Sequence, residues 1–153
     1  MARRFQFNLQ KILDLRLWEE KQAENLLSAK TGQCATCERT IVELSLRRRE
    51  AFLSRGVGGL DLNVWAFHDR FRLRLDQEIS NKEKELARLT LEREELLKAY
   101  LQTRRRREVL SKLAERQTLA FKKDEQKREA LQLDDLNTAV FIRKMRRVEE
   151  TLG

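Results

Sequence analysis

Two cysteines stand three positions apart in the segment CATC, at Cys34 and Cys37. A Cys-x-x-Cys pair exchanges disulfides when it opens a helix after a β-strand, and it binds zinc when a second pair of cysteine or histidine ligands completes the site. No strand pattern precedes this segment, and the only histidine, His68, lies far along the chain. We therefore expect both cysteines to be small structural side chains on a helix, and we expect no metal site.

Four consecutive arginines occupy Arg104 to Arg107. In a helix they would point in directions that cover more than a full turn, so they could not all face one nucleic-acid groove. No interleaved aromatic residues or nucleic-acid-binding motif accompany them. The glycines of GVGG lack the Lys-Ser/Thr that completes a phosphate-binding loop. These patterns predict no nucleic-acid binding, no catalytic residues and no cofactor.

The composition indicates long helices in place of a globular core. Of 153 residues, 38% are charged and 41% hydrophobic, and there is no proline. This profile is typical of coiled coils. The net charge is +8, but both signs are interleaved along the chain, as on solvated helix surfaces. Two cysteines, no apolar run of about 20 residues and no secretory signal predict a cytoplasmic protein.

An apolar stripe follows each half of the chain at alternating spacings of three and four residues, the pattern of a coiled-coil seam. Long charged side chains interrupt both stripes, which lowers stability and helps to fix the register. In the first half the stripe comprises Leu9, Leu13, Arg16, Glu20, Ala23, Leu27, Lys30, Cys34, Cys37, Ile41, Leu44, Arg48 and Ala51. In the second half it comprises Leu75, Ile79, Lys82, Leu86, Leu89, Arg93, Leu96, Tyr100, Thr103, Arg107, Leu110, Ala114, Gln117 and Phe121.

Three of the five glycines, Gly56, Gly58 and Gly59, lie between the two stripes. Glycine ends helices and permits the chain to reverse. The sequence therefore predicts an all-α fold: one antiparallel coiled-coil hairpin domain over residues 1–153. Its first helix would span about 8–53, its loop about 54–62 and its longer second helix about 63–148.

A register with Phe52 beside Val64 would place Leu9 near Arg107. Residues from about Lys112 onward, Phe121 among them, would then have no partner in the chain.

Aromatic residues are concentrated directly after the glycines, at Trp65, Phe67 and Phe71, and Leu75 follows Phe71 by one helical turn. A two-helix hairpin has few directions in which to bury bulky rings. These residues either seal the end of the hairpin or form anchors for a partner.

Two segments resemble the FliJ family. FQFNLQKILDLRLWEEKQAENLLSA, which begins at Phe5, is similar to the opening of its members, and LAERQTLAFKKDEQKREALQLDDL, from Leu113 to Leu136, is similar to their C-terminal motif. The glycine-bearing break followed by Trp65, Phe71 and Leu75 also resembles the family pattern. The resemblance covers nearly the whole chain.

This resemblance implies a non-enzymatic cytoplasmic component of the bacterial flagellar type III export apparatus, associated peripherally with the inner membrane through that apparatus and required for motility. Its implied partners are the hexameric export ATPase with its regulator, the cytoplasmic part of the export gate, and export chaperones. The implied gate-binding residues are Trp65, Phe71 and Leu75, while Glu78 and Lys82 depart from the residues that the family places next.

Three alternatives remain open at this point. The chain could be the counterpart of this protein in an injectisome. It could be a basic coiled coil that binds nucleic acid or an anionic membrane through Arg104 to Arg107 and the C-terminal FIRKMRRVEE. It could also be a scaffold coiled coil of another kind.

Overall fold

The structure, a computed structural model, describes residues 3–54, 59 and 61–153. The described chain contains two helices, α1 (Gln10–Ser54) and the longer α2 (Leu62–Leu152), and no strand. The two helices pack against each other as an antiparallel coiled-coil hairpin, so the predicted fold class is confirmed. The organisation of residues 1–153 as a single domain stays a prediction.

Polar side chains satisfy backbone groups where the two helices meet the turn. The Ser54 hydroxyl donates a hydrogen bond to the Ala51 carbonyl at 3.0 Å, at the end of α1. At the start of α2, the Asn63 backbone N–H donates to Asp61 Oδ1 at 2.9 Å, which makes Asp61 the N-cap. Most of the predicted turn, including Gly56 and Gly58, lies outside the described residues. Gly59 is described, and its φ of 72° is in the left-handed region that favours glycine.

The helices form two compact units, one of Arg16–Arg106 and one of Met1–Leu15 with Arg107–Gly153. In the first unit, Cys34 and Cys37 pack on Leu89. Leu44 packs between Leu75 and Ile79 in a second cluster. All six side chains are at most 6% exposed. They form a narrow seam, because two helices alone cannot enclose a wider core.

The predicted stripes are the buried faces of the helices. Along the first stripe every residue except Arg48 is buried or half-buried, and along the second every residue except Gln117 is so. The long charged side chains at seam positions turn toward partners at the edge of the seam. Lys30 Nζ, for example, lies 2.7 Å from Glu92 Oε2 on the opposite helix.

A register with Phe52 beside Val64 differs from the observed register by about one to two helical turns. It would place Lys30 and Cys37 opposite residues nearer the start of α2 than those that they contact. In the structure Lys30 pairs with Glu92 and Cys37 contacts Lys82. The physical reason is the fit of the apolar side chains: the observed register sets Leu44 against Leu75 and Ile79, whereas a register with Phe52 beside Val64 would not.

The second unit corrects the expectation that residues from about Lys112 lack a partner. The Phe5 ring packs on the Phe121 ring with their centroids 5.4 Å apart. Residues 3–7 precede α1 and are not helical. Extended chain advances about 3.3 Å per residue against 1.5 Å in a helix. Phe5 therefore reaches farther along α2 than a helical segment of equal length would.

The C-terminal part of α2 lacks burial. Every residue from 126 to 153 is exposed. Large apolar side chains are among them, and they are at least 46% exposed: Leu131, Leu133, Leu136, Val140, Phe141, Ile142, Met145, Val148 and Leu152. We refer to residues 126–153 as the C-terminal segment.

Candidate binding surface

Trp65 lies in the first turns of α2 and contacts the turn itself. Its indole Nε1–H donates a hydrogen bond to the Gly59 carbonyl at 3.3 Å, and 39% of the residue is exposed. The indole therefore fastens the turn to α2 on one side and presents part of its ring to solvent on the other.

Phe71 lines an apolar recess between the helices. The recess has a volume of about 340 Å³, and its lining also includes Ala51 and Ser54 from α1 and Phe67 and His68 from α2. Phe71 is 38% exposed. An apolar recess with a few polar groups at its edge suits one apolar anchor from another protein. We call this the aromatic recess.

Leu75 lies in the seam and is only 4% exposed. It packs with Leu44 and Ile79. The structure thus gives the three sequence-predicted site residues different surroundings: Trp65 and Phe71 offer exposed ring surface, whereas Leu75 is buried in the seam with Leu44 and Ile79.

The sequence placed Phe67 among the aromatic residues after the glycines but did not single it out as a gate-binding residue; it is 67% exposed and lines the same recess. The Phe67 ring also meets the His68 ring edge-on, with their centroids 6.1 Å apart. The spacing in the sequence could have shown this, because Phe67 precedes Phe71 by four residues, and residues four apart on a helix are neighbours on one face. Phe67 and Phe71 therefore present adjacent rings along α2.

Glu78 and Lys82 lie beyond Leu75, where the sequence departs from the family pattern. Glu78 is exposed, and Lys82 is half-buried and donates a hydrogen bond to Glu85 Oε2 at 2.9 Å. This hydrogen bond raises the pKa of Lys82 and lowers the pKa of Glu85. The surface changes here from aromatic to charged, so the exposed aromatic surface of α2 ends before Glu78.

Glu92 forms a charged contact between the two helices in this unit. It accepts hydrogen bonds from Lys30 Nζ at 2.7 Å and from Arg88 at 3.2 Å. The hydrogen bond from Lys30 is the largest cause of a lowered pKa at Glu92. Both cations favour the ionised carboxylate, and the contact with Lys30 joins α1 to α2.

The other candidate sites contribute to packing or lie on the helix surface. Cys34 and Cys37 are buried free thiols in the seam. Arg105 and Arg106 are exposed, whereas Arg104 and Arg107 have interactions within the chain. Over residues 3–54, 59 and 61–153, no cluster of His, Cys, Asp or Glu could hold a metal ion. In the same residues neither helix has a stretch apolar enough to cross a membrane.

Comparisons with known proteins give one result. The sequence matches no curated protein and no solved structure at a significant level. A protein-family profile described as "Flagellar FliJ protein" matches residues 5–146. That match includes all of α1, α2 as far as residue 146, and every residue that lines the aromatic recess. It covers nearly the whole chain, so the chain belongs to the FliJ family of flagellar proteins.

Proposed function

We propose that this chain binds both the hexameric export ATPase with its regulator and the cytoplasmic part of the export gate, and so couples ATP hydrolysis to protein export. Membership of the FliJ family makes it a component of the flagellar export apparatus. Its role is non-enzymatic: binding of one partner changes its affinity for the other, and it escorts export chaperones. It works in the cytoplasm, held peripherally at the inner membrane by the apparatus.

The observation that carries this proposal is the aromatic recess beside the turn. A hairpin whose rings served only to seal its end would bury them, but Phe67 is 67% and Phe71 38% exposed. Exposed aromatic side chains around a concave apolar surface are typical anchors of protein interfaces. We assign this surface to the export gate, with Phe71 as the contact, Trp65 as the support of the turn and Leu75 as the support beneath.

A second surface is available for the ATPase. The C-terminal segment exposes a stripe of Phe141, Met145, Val148 and Leu152, which helical spacing places on one face. Arginines and lysines flank this stripe in FIRKMRR. Contacts that mix apolar and charged groups suit a partner whose subunits change conformation, because no large hydrophobic interface must be broken at each step.

Two binding surfaces on one helix supply the coupling. α2 carries both the aromatic recess and the C-terminal segment. A partner at one surface influences a partner at the other if it favours one of two arrangements of the hairpin. The description of the matched family supports the flagellar system over an injectisome counterpart.

Capture of partners from flagellated cells of the source organism tests the proposal. The tagged full-length chain should retain the export ATPase and the gate protein. The Phe71→Ala variant should retain the ATPase and lose the gate protein. Leu73→Ala is the matched control, since Leu73 is 61% exposed and lies on another face of α2. Recovery of neither partner by the unmodified chain would contradict the proposal.

A further inference from the structure

A second recess lies beside the turn, on the other side of the seam from the aromatic recess. It measures about 510 Å³ and is lined by Ser45, Arg48, Arg49, Phe52, Arg72 and Asp76. It shares no lining residue with the aromatic recess. Three of its six residues are arginines and one is acidic, so it concentrates positive charge. We call it the arginine recess.

The single carboxylate of the arginine recess is already engaged. Asp76 Oδ1 accepts a hydrogen bond from Arg48 at 3.1 Å. The Nε–H of Arg72 is buried and has no hydrogen-bond partner. A buried donor without an acceptor is costly, because water no longer solvates it. Asp76 offsets one of the three positive charges of the recess, and Arg49, which is exposed, carries a further guanidinium at its edge.

Large apolar side chains surround the turn next to this recess. Phe52 is 62%, Leu53 65% and Leu62 84% exposed. Arg48 and Arg49 precede Phe52 and Leu53 by one helical turn, which is about 5–6 Å along α1. Along α1, Phe52 and Leu53 therefore lie about one helical turn closer to the turn than the guanidinium groups of Arg48 and Arg49 do.

We propose that this end of the hairpin binds the surface of an anionic lipid bilayer. Phe52, Leu53 and Leu62 enter the boundary between headgroups and acyl chains, and lipid phosphate oxygens accept hydrogen bonds from the exposed guanidinium of Arg49, with the positive charges of Arg48 and Arg72 beside it. The spacing fits, because interfacial apolar side chains reach about 5–10 Å into this boundary while basic groups stay with the phosphates. Guanidinium forks match phosphate geometry.

The exposed side chains of Phe52, Leu53 and Leu62 favour a membrane over an acidic protein segment as the occupant. Acidic side chains would satisfy the arginines and leave Phe52, Leu53 and Leu62 in water. A bilayer surface satisfies both groups at once. This inference does not depend on gate binding, since the two recesses are separate.

Vesicle binding by the full chain tests the inference. The chain has two tryptophans, so a Trp18→Phe background leaves Trp65 as the single tryptophan, next to the turn, and excitation at a wavelength that tyrosine does not absorb reports on it alone. Vesicles rich in phosphatidylglycerol should shift the Trp65 emission to the blue, and phosphatidylcholine vesicles should not. In flotation assays, Arg49→Gln with Arg72→Gln should lower the partition coefficient about tenfold or more, since each basic residue near an anionic surface contributes.

Matched variants distinguish binding at the arginine recess from nonspecific attraction between the basic chain and the anionic vesicle. Arg105→Gln with Arg106→Gln removes the same charge at exposed positions away from the turn, and should change binding by less than about twofold. Because Arg72 is half-buried, Arg49→Glu alone gives a second test at an exposed position. Phe52→Ser with Leu53→Ser should weaken binding and leave its salt dependence in place.

Three results would overturn the inference. The first is absence of binding to phosphatidylglycerol vesicles. The second is an equal loss of vesicle binding in the two double variants, Arg49→Gln with Arg72→Gln and Arg105→Gln with Arg106→Gln. The third is binding of polyglutamate with no binding of vesicles. The last result would assign the arginine recess to an acidic protein segment. Loss of vesicle binding in these variants with retention of the export gate would support the inference and keep the two surfaces distinct.

Discussion

Cys37 contacts the backbone of Lys82 across the seam: the Cys37 Sγ lies 3.3 Å from the Lys82 carbonyl oxygen. A thiol is a weak donor, so this hydrogen bond is weak. The short distance shows mainly that the two helices approach closely here. It also shows why a small residue occupies this position. A larger side chain would separate the helices where Cys34, Cys37 and Leu89 meet.

We expect the cysteines to act through packing. Changing both Cys34 and Cys37 to alanine should lower the free energy of unfolding by about 1–3 kcal/mol, through lost contacts in the seam. Chemical denaturation followed by circular dichroism measures this change. Gln33→Ala, at an exposed neighbouring position, is the control. Retained stability together with lost partner binding would show that the thiols have a role outside packing.

Alanine substitutions at Leu75 and Phe71 should affect different quantities: the first should lower stability, and the second should weaken binding of the gate. Leu75→Ala should lower the free energy of unfolding by about 2–5 kcal/mol, because it leaves a cavity against Leu44 and Ile79. Phe71→Ala should lower it by less than about 1 kcal/mol and should weaken gate binding by about 2 kcal/mol or more. Thermal melts and binding isotherms measure the two quantities. An early melt of Phe71→Ala with loss of both partners would place Phe71 in the core.

The pairing of Lys30 with Glu92 predicts a pH dependence of stability. The pKa of Glu92 is lowered below its ordinary value of 4.5, so the folded state favours the ionised form. This contribution is present above the pKa of the unfolded chain and is lost as the pH falls through the lowered pKa. Glu92→Gln should therefore reduce the loss of stability between about pH 6 and pH 3 at low salt.

Denaturation at a series of pH values measures this effect. Glu95→Gln, which removes an exposed carboxylate on the same helix, is the control and should leave the acid dependence close to that of the unmodified chain. Identical pH profiles for Glu92→Gln and the unmodified chain would mean that the pair does not stabilise the fold.

The contact between Phe5 and Phe121 should be measurable as a coupling. Phe5→Ala and Phe121→Ala, alone and together, should give a coupling energy of about 0.5–1.5 kcal/mol, the range for aromatic pairs. Phe7→Ala is the control at a neighbouring half-buried position outside this ring pair. Strict additivity of the Phe5 and Phe121 substitutions would indicate that the two rings do not pack in solution.

The C-terminal segment should contribute little to the stability of the free protein. Its residues are all exposed, so its helix depends on local propensity and has no support from packing. Removal of residues 126–153 should change the free energy of unfolding by less than about 0.5 kcal/mol, whereas removal from residue 112 onward also deletes Phe121 and should destabilise the chain. Hydrogen exchange should be fast in residues 126–152 and slow around Leu75 to Leu89. Slow exchange in both regions would contradict this expectation.

Periodicity revealed the buried faces but could not reveal how they match. Spacings of three and four residues identified the seam, because burial of a two-helix interface requires that repeat. The register depends on which side chains fit opposite one another, and a one-turn shift preserves the same apolar pattern. The path of residues 3–7 was equally hidden, since an aromatic residue in a short leading segment gives no periodic signal.

The candidate site was predictable only in part. The position of aromatics directly after glycines indicated a surface beside the turn, and Trp65 and Phe71 do expose ring surface there. Leu75 satisfied the seam pattern and the surface pattern at once, and only the contacts with Leu44 and Ile79 reveal its burial. The arginine recess had no sequence signal, because Arg48 and Arg72 are brought together by the pairing of the two helices.

The antiparallel arrangement also sets an order of folding. Contacts across the seam join residues that are 28 positions apart at Arg48 and Asp76, 45 at Cys37 and Lys82, and 62 at Lys30 and Glu92. Loop-closure entropy rises with the length of chain enclosed, so the first of these contacts is the least costly to form from the unfolded state. Each contact then shortens the loop that the next must close. Folding is therefore expected to begin beside the turn and to proceed along both helices together, which gives the coiled coil a nucleus of short sequence separation and a fast folding rate.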